Sequence, residues 1–166
     1  RHRPGLGGGR RDDPEDGLCR VVLAKPQAGC TIVQMEIVAD TNIFLAVALN
    51  EPERNAVIEL TANASVIAPE ILPYEVGNAL SAMVKRQRLT GAEALAAERA
   101  IGQIPMRLVS VDIQESLGHA LEYDIYAYDA YFLHCAQAFS CPLLSLDRRM
   151  KEVARRLGVS VLEISS

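Results

Sequence analysis

Sulfur and imidazole chemistry has little to work with in this chain. It carries four cysteines (Cys19, Cys30, Cys135, Cys141) and three histidines (His2, His119, His134). No two cysteines form a C-x-x-C pair, so zinc-ligand spacing is missing and nothing points to a disulfide framework. Cys135 falls inside an apolar helical pattern and Cys141 opens a predicted strand, where a reduced thiol acts as a small hydrophobe, as in a cytoplasmic protein. No apolar run approaches the roughly 18 uninterrupted residues of a membrane span. The glycine-rich "GLGGGR" has neither a strand before it nor a Gly-Lys-Ser/Thr after it, which excludes a phosphate loop. The histidines lie in the N-terminal stretch and inside helices, so no Ser-His-Asp or Cys-His pairing is expected.

What is present is an ordinary globular balance, with 49% hydrophobic and 23% charged side chains in 166 residues, enough for one domain with a core. Residues 1–34 differ in kind. "RHRPGLGGGRRDDPEDG" is glycine, proline and charge without periodicity and cannot offset the entropy of ordering, so it reads as an extension or tail, although "CRVVLA" is apolar enough to pair with a sheet edge. Met35 precedes the first convincing strand, and residues 35–166 form the expected domain. The extension holds six of the 17 basic and four of the 21 acidic side chains, leaving the domain 11 and 17, a net charge of −6. A duplex-coating protein is usually basic. If this domain touches nucleic acid, something must neutralise its acids.

From Met35 onward, short continuously apolar strands alternate with helices whose apolar residues repeat at i, i+3 and i+4. Five strands ("EIVA", "SVIAP", "RLVSV", "PLLSL", "VSVLEI") and seven helices predict a three-layer α/β/α sandwich with a parallel central sheet. Right-handed crossovers in such a sheet put the carboxyl ends of all strands on one edge, where ligands bind. Four acids fall there. Asp40 follows the first strand, Glu75 opens a helix after the second, Asp129 heads a later helix, and Asp147 follows the fourth strand. Each has a plainer explanation as a helix cap. For Glu75 it fails, because a capping box needs Ser or Thr at position 72, which is Leu. For Asp40, Thr41 or Asn42 can cap instead and leave the carboxylate free. Jointly the four read as a cluster for a hard divalent cation such as Mg²⁺, which prefers oxygen ligands.

"VADTNIFLAV", "APEILPYEVGNAL", "YAYDAYFLHCAQAF" and "LLSLDRRMKEVARRLGVSVL" resemble the acidic motifs of the PIN domain, most closely those of the VapC-like toxin ribonucleases of toxin–antitoxin modules. The resemblance spans residues 35–164 and implies a Mg²⁺- or Mn²⁺-dependent endoribonuclease. It implies Asp40, Glu75, Asp129 and Asp147 as metal-binding catalytic acids, with Asn42 and Ser145 as supporting polar residues. It also implies an RNA substrate, an antitoxin partner and a homodimer. Beside Asp147, Arg148 and Arg149 are candidates for phosphate contact, and Tyr126 or Tyr128 for stacking on a base. "KRQR" (Lys85, Arg86, Arg88) reads rather as dipole pairing at a helix end.

Other functions make different demands. A haloacid dehalogenase-type phosphatase needs a second Asp two residues after the first, where this chain has Asn42. A receiver domain needs a lysine late in the sheet, and none follows a strand. A housekeeping PIN nuclease in RNA processing would share every acid with a toxin. A non-catalytic interaction module would not need all four.

Overall fold

The computed structural model describes residues 34–164. The expected extension, with His2, Cys19 and Cys30, lies outside the described residues except for Gln34. Five strands are described: β1 (Met35–Ala39), β2 (Ala64–Pro69), β3 (Met106–Val109), β4 (Leu143–Leu144) and β5 (Val161–Leu162). Seven helices connect them: α1 (Thr41–Ala48), α2 (Arg54–Thr61), α3 (Leu72–Lys85), α4 (Gly91–Gly102), α5 (Ile113–Tyr123), α6 (Ala127–Ala138) and α7 (Arg148–Arg156). Order and type match the sequence pattern throughout.

All strand pairings are parallel, in the spatial order β3-β2-β1-β4-β5. From β1 the chain moves outward through β2 to β3, and α1 to α4 pack on one another along this path. It then returns across the sheet through α5 and α6 to β4 and continues outward to β5 through α7. With right-handed crossovers the outward and returning paths leave their helices on opposite faces, which makes the three layers. The strand direction of travel reverses between β1 and β4, so the crevice beyond their carboxyl ends is the topological switch point.

Burial explains why the strands read as continuous apolar runs. Ile37 and Val38 of β1, Ile67 of β2, and Leu143 and Leu144 of β4 are fully enclosed between the helical layers, together with Phe132 and Leu133 of α6. Each such side chain contributes about 1.5–3 kcal/mol by leaving water. Cys135 belongs to this core, and burial pushes its thiol up to about 12, so it stays protonated and inert. β4 and β5 are shorter than "PLLSL" and "VSVLEI" predicted. Ser145 lies just past the end of β4 and turns its hydroxyl to the neighbouring strand end.

Local signals set the helix ends. Thr90 and Glu93 close a capping box at the start of α4. Pro73 sits in the first turn of α3, where a missing N–H costs nothing. Gly158, at φ +75, follows the end of α7 in the left-handed conformation that glycine adopts without a Cβ penalty.

Candidate active site at the switch point

The register of β1 on β4 pairs Val38 with Leu143 and Ala39 with Leu144, so the next residue of each strand, Asp40 and Ser145, emerge side by side. Asp40 N–H donates to Leu144 O at 3.1 Å, the last rung of that ladder. The Ser145 hydroxyl donates to Asp40 Oδ2 and accepts from Asp147 N–H at 2.9 Å. One buried hydroxyl thus ties the exit of β4 to the exit of β1.

The sequence left Thr41 and Asn42 open as alternative caps of α1, and the structure gives the cap to Asp40. Its backbone is extended (φ −79, ψ 170), Thr41 is already helical, and Asp40 Oδ1 accepts from Asn42 N–H at 2.7 Å and Ile43 N–H at 3.3 Å. Asp40 therefore caps α1 itself. Thr41 turns its hydroxyl across to Glu75 Oε2. Asp147 likewise caps α7, accepting Met150 N–H at 2.7 Å. Asp129 does not head its helix as expected. Tyr126 takes the extended cap conformation, and Asp129 follows as the third helical residue of α6. Two of the four acids are caps and two, Glu75 and Asp129, are not.

Asp129 stands between two cavities. One, of about 150 Å³, is lined by Asp40, Asn42, Glu75, Asn78 and Asp129. The other, of about 430 Å³, is lined by Asp124, Ile125, Tyr126, Asp129, Asp147 and Arg149. A larger cavity of about 630 Å³, lined among others by Gln34, Ala64 and Pro105, opens at the opposite edge of the sheet, away from every one of these acids. The chemistry sits at the smaller openings.

Electrostatics record the crowding. Burial pushes the Asp40 carboxyl up to about 6 although Ser145 and two backbone N–H groups pull it down, and Glu75 adds to the rise. Asp129 also reaches about 6, first through burial and then through the negative charges of Asp147, Glu75 and Asp40, with no hydrogen bond opposing the rise. Glu75 is raised by burial against the Thr41 hydroxyl. Asp129 therefore senses all three other acids, from elements far apart in sequence.

The donors at the two cavities are carboxylates and side-chain amides, an all-oxygen set suited to a hard divalent cation and unsuited to zinc or copper. As the side chains stand, no three among the described residues lie close enough to share one ion. Asp40 is held by its own helix and Ser145. The donor chemistry fits such an ion, and Glu75 and Asp129 are the two acids that cap nothing.

Of the two arginines, Arg149 lines the larger cavity, its guanidinium donating to Tyr123 O at 2.6 Å. Arg148 does not line it; its side chain is 92% exposed and pairs with Glu152 one turn on. Asn42 lines the smaller cavity, and Ser145 is buried, its hydroxyl on Asp40. His119 and His134 face one another between α5 and α6, away from the acids. The sequence reading missed Thr41 as the partner of Glu75, and it missed Asn78. Asn78 carried a signal: it stands three residues after Glu75, on the same helix face.

The family model described as the PIN domain matches residues 37–156. Similar solved structures include PAE2754 from Pyrobaculum aerophilum, with a TM-score of 0.57 at 20% identity over 75% of this chain and 97% of that one. VapBC2 from Rickettsia felis, crystallised with a DNA fragment from its promoter, gives 0.55 at 16% identity, over 78% of this chain and 98% of that one. FitAcB from Neisseria gonorrhoeae gives 0.54 at 16%, over 76% and 96%. At these identities the likeness is one of fold. No curated protein matches the sequence itself. Among the described residues no helix is long and apolar enough to cross a membrane.

Proposed function

The chain belongs to the PIN-domain family, whose members are generally nucleases, and from that premise we propose that it is a metal-dependent endoribonuclease acting as the toxin of a type II toxin–antitoxin module. In this reading residues 35–166 are the nuclease domain, and Asp40, Glu75, Asp129 and Asp147 hold Mg²⁺ or Mn²⁺. The observation that carries it is the place of Asp129, which lines both the cavity of Asp40 and Glu75 and the cavity of Asp147. Four independent helix caps have no reason to converge in this way.

A divalent cation bound there supplies a more acidic water and offsets the charge of the scissile phosphate. The chain's own residues prepare the place. Ser145 and the first turn of α1 fix both oxygens of Asp40, so its carboxylate cannot swing away. Thr41 orients Glu75 in the same way. The Asn42 and Asn78 side chains add neutral polar groups to the smaller cavity without further negative charge. Arg149 supplies the positive charge that an acidic domain needs beside an incoming phosphate, and Arg148 adds a looser one outside the cavity.

The toxin reading brings an antitoxin partner, a homodimer and a cytoplasmic setting. An apolar cavity of about 250 Å³ lined by Ile43, Phe44, Val47, Val57 and Ile58 supports it by offering a seat to an apolar side chain of such a partner. Purified protein given single-stranded RNA and Mg²⁺ should cleave it, chelator should stop cleavage, and Asp129→Asn should lower the rate by about a hundredfold or more. Cleavage by Asp129→Asn at the parent rate would overturn the site.

A further inference from the structure

We propose that the cavity between the α5–α6 turn and the start of α7 seats one nucleotide of a single-stranded RNA, the Tyr126 ring stacking on its base and the Arg149 guanidinium meeting its phosphate. The inference rests on the nuclease reading above and specifies how that site holds its substrate.

The ring comes first. Tyr126 is 83% exposed, at the mouth of a cavity whose other wall is Asp129 and Asp147. Its side chain makes no capping bond to α6. Its backbone, by contrast, is fixed: Ile125 N–H donates to Ala120 O at 3.1 Å and Ala130 N–H to Tyr126 O at 3.1 Å. A flat apolar face carried on a rigid turn and used by nothing in the fold suits base stacking, which tolerates any base. Tyr128, the other candidate from the sequence, packs edge-on against Tyr131 with ring centroids 6.1 Å apart and does not line the cavity.

The charge comes second. Among the described residues, Arg149 is the only cation lining the two cavities. Its bond to Tyr123 O and the nearby Glu152 carboxylate hold the arm at the cavity mouth while leaving further N–H donors of the fork for a phosphate. Among the described residues, none with a positive side chain lines the smaller cavity around Asp40 and Glu75. A strand with its scissile phosphate over the acids therefore meets a complementary charge only on the Tyr126 side, where about 430 Å³ matches the size of small-ligand sites. Ring and guanidinium together provide the two contacts that single-stranded binding uses, a stacking face and a backbone charge.

Binding is read with a short fluorescent single-stranded RNA on the full-length Asp129→Asn protein, in which cleavage does not interfere. Adding Tyr126→Ala should weaken binding about tenfold, Tyr126→Phe should restore it, and Tyr128→Ala should leave it unchanged. Arg149→Gln should weaken binding and reduce the slope of log affinity against log salt by about 0.7, the loss of one phosphate contact on a single strand. In the active protein Tyr126→Ala should raise KM with little effect on kcat. Equal affinity with Tyr126→Ala while the parent still cleaves RNA would overturn the subsite and spare the nuclease. Absence of both RNA binding and RNA cleavage would overturn both.

Discussion

Asp40 and Asp129 face the same cavity and reach the same carboxyl pKa, about 6, from opposite circumstances. Asp40 is only 3% exposed and is satisfied: two backbone N–H groups and the Ser145 hydroxyl use both its oxygens. Its shift is the cost of burial that those bonds only partly offset. Asp129 is less buried, has no hydrogen bond working against its shift, and owes more of it to the other acids. One acid is part of the framework and the other is held in place against repulsion. The two sides of the cleft therefore ought to answer mutation differently, even where Asp is replaced by Asn in both.

The largest expected contrast involves metal. In the parent, Mg²⁺ at about a hundred times its dissociation constant should add on the order of 2.7 kcal/mol of stability, seen as a rise in melting temperature. Asp129→Asn should lose most of that increment. An equal rise in both proteins would mean that Asp129 is not part of the metal set.

Ser145→Ala should come next. It strips a buried hydroxyl from between Asp147 N–H and the Asp40 carboxylate, at about 1–3 kcal/mol by chemical denaturation. Asp40→Asn should also destabilise, because both Asp40 oxygens accept hydrogen bonds and an amide offers only one oxygen, which turns an NH2 group toward a donor on one side. Asp129→Asn has no such bond to lose, and in metal-free protein it should melt at or above the parent temperature. A lower melting temperature for Asp129→Asn than for Asp40→Asn would reverse the comparison.

The pH dependence follows from the direction of the shift. A carboxyl at about 6 in the folded chain and about 3.9 unfolded binds its proton more tightly when folded. The metal-free fold then loses stability as pH rises from about 4 to 6 and regains none above that. The advantage of Asp129→Asn over the parent should therefore be widest above pH 6 and close as pH approaches 4, in paired thermal melts.

Arg148→Ala marks the small end. Its exposed i,i+4 pair with Glu152 should matter by no more than about 0.5 kcal/mol, and RNA binding should change less than with Arg149→Gln.

Much of this was legible in the chain itself. Short apolar runs alternating with 3.6-period segments specify a parallel sheet covered on both faces, because only strands buried on two sides can be apolar at every position. Asp40 after the first strand and Asp147 after the fourth were readable for the same reason: strand ends in a parallel sheet share an edge. Which residue caps α1 was not readable, since Asp40, Thr41 and Asn42 are all competent caps. The backbone angle at the end of β1 chose Asp40. The partnership of Thr41 with Glu75 depends on how α3 leans on α1, and the division between Arg148 and Arg149 depends on the rotation of α7 about its axis. Neither quantity leaves a trace in local sequence.

The sequence by itself determined the order of elements, the parallel sheet and the gathering of four acids on one edge, because hydrophobic periodicity and crossover handedness act along the chain. Only the tertiary structure decided which acids are tied down and which stand against repulsion. Hydrogen bonds such as Ser145 to Asp40, 105 residues apart, depend on the strand register of β1 on β4 and on the packing that fixes it.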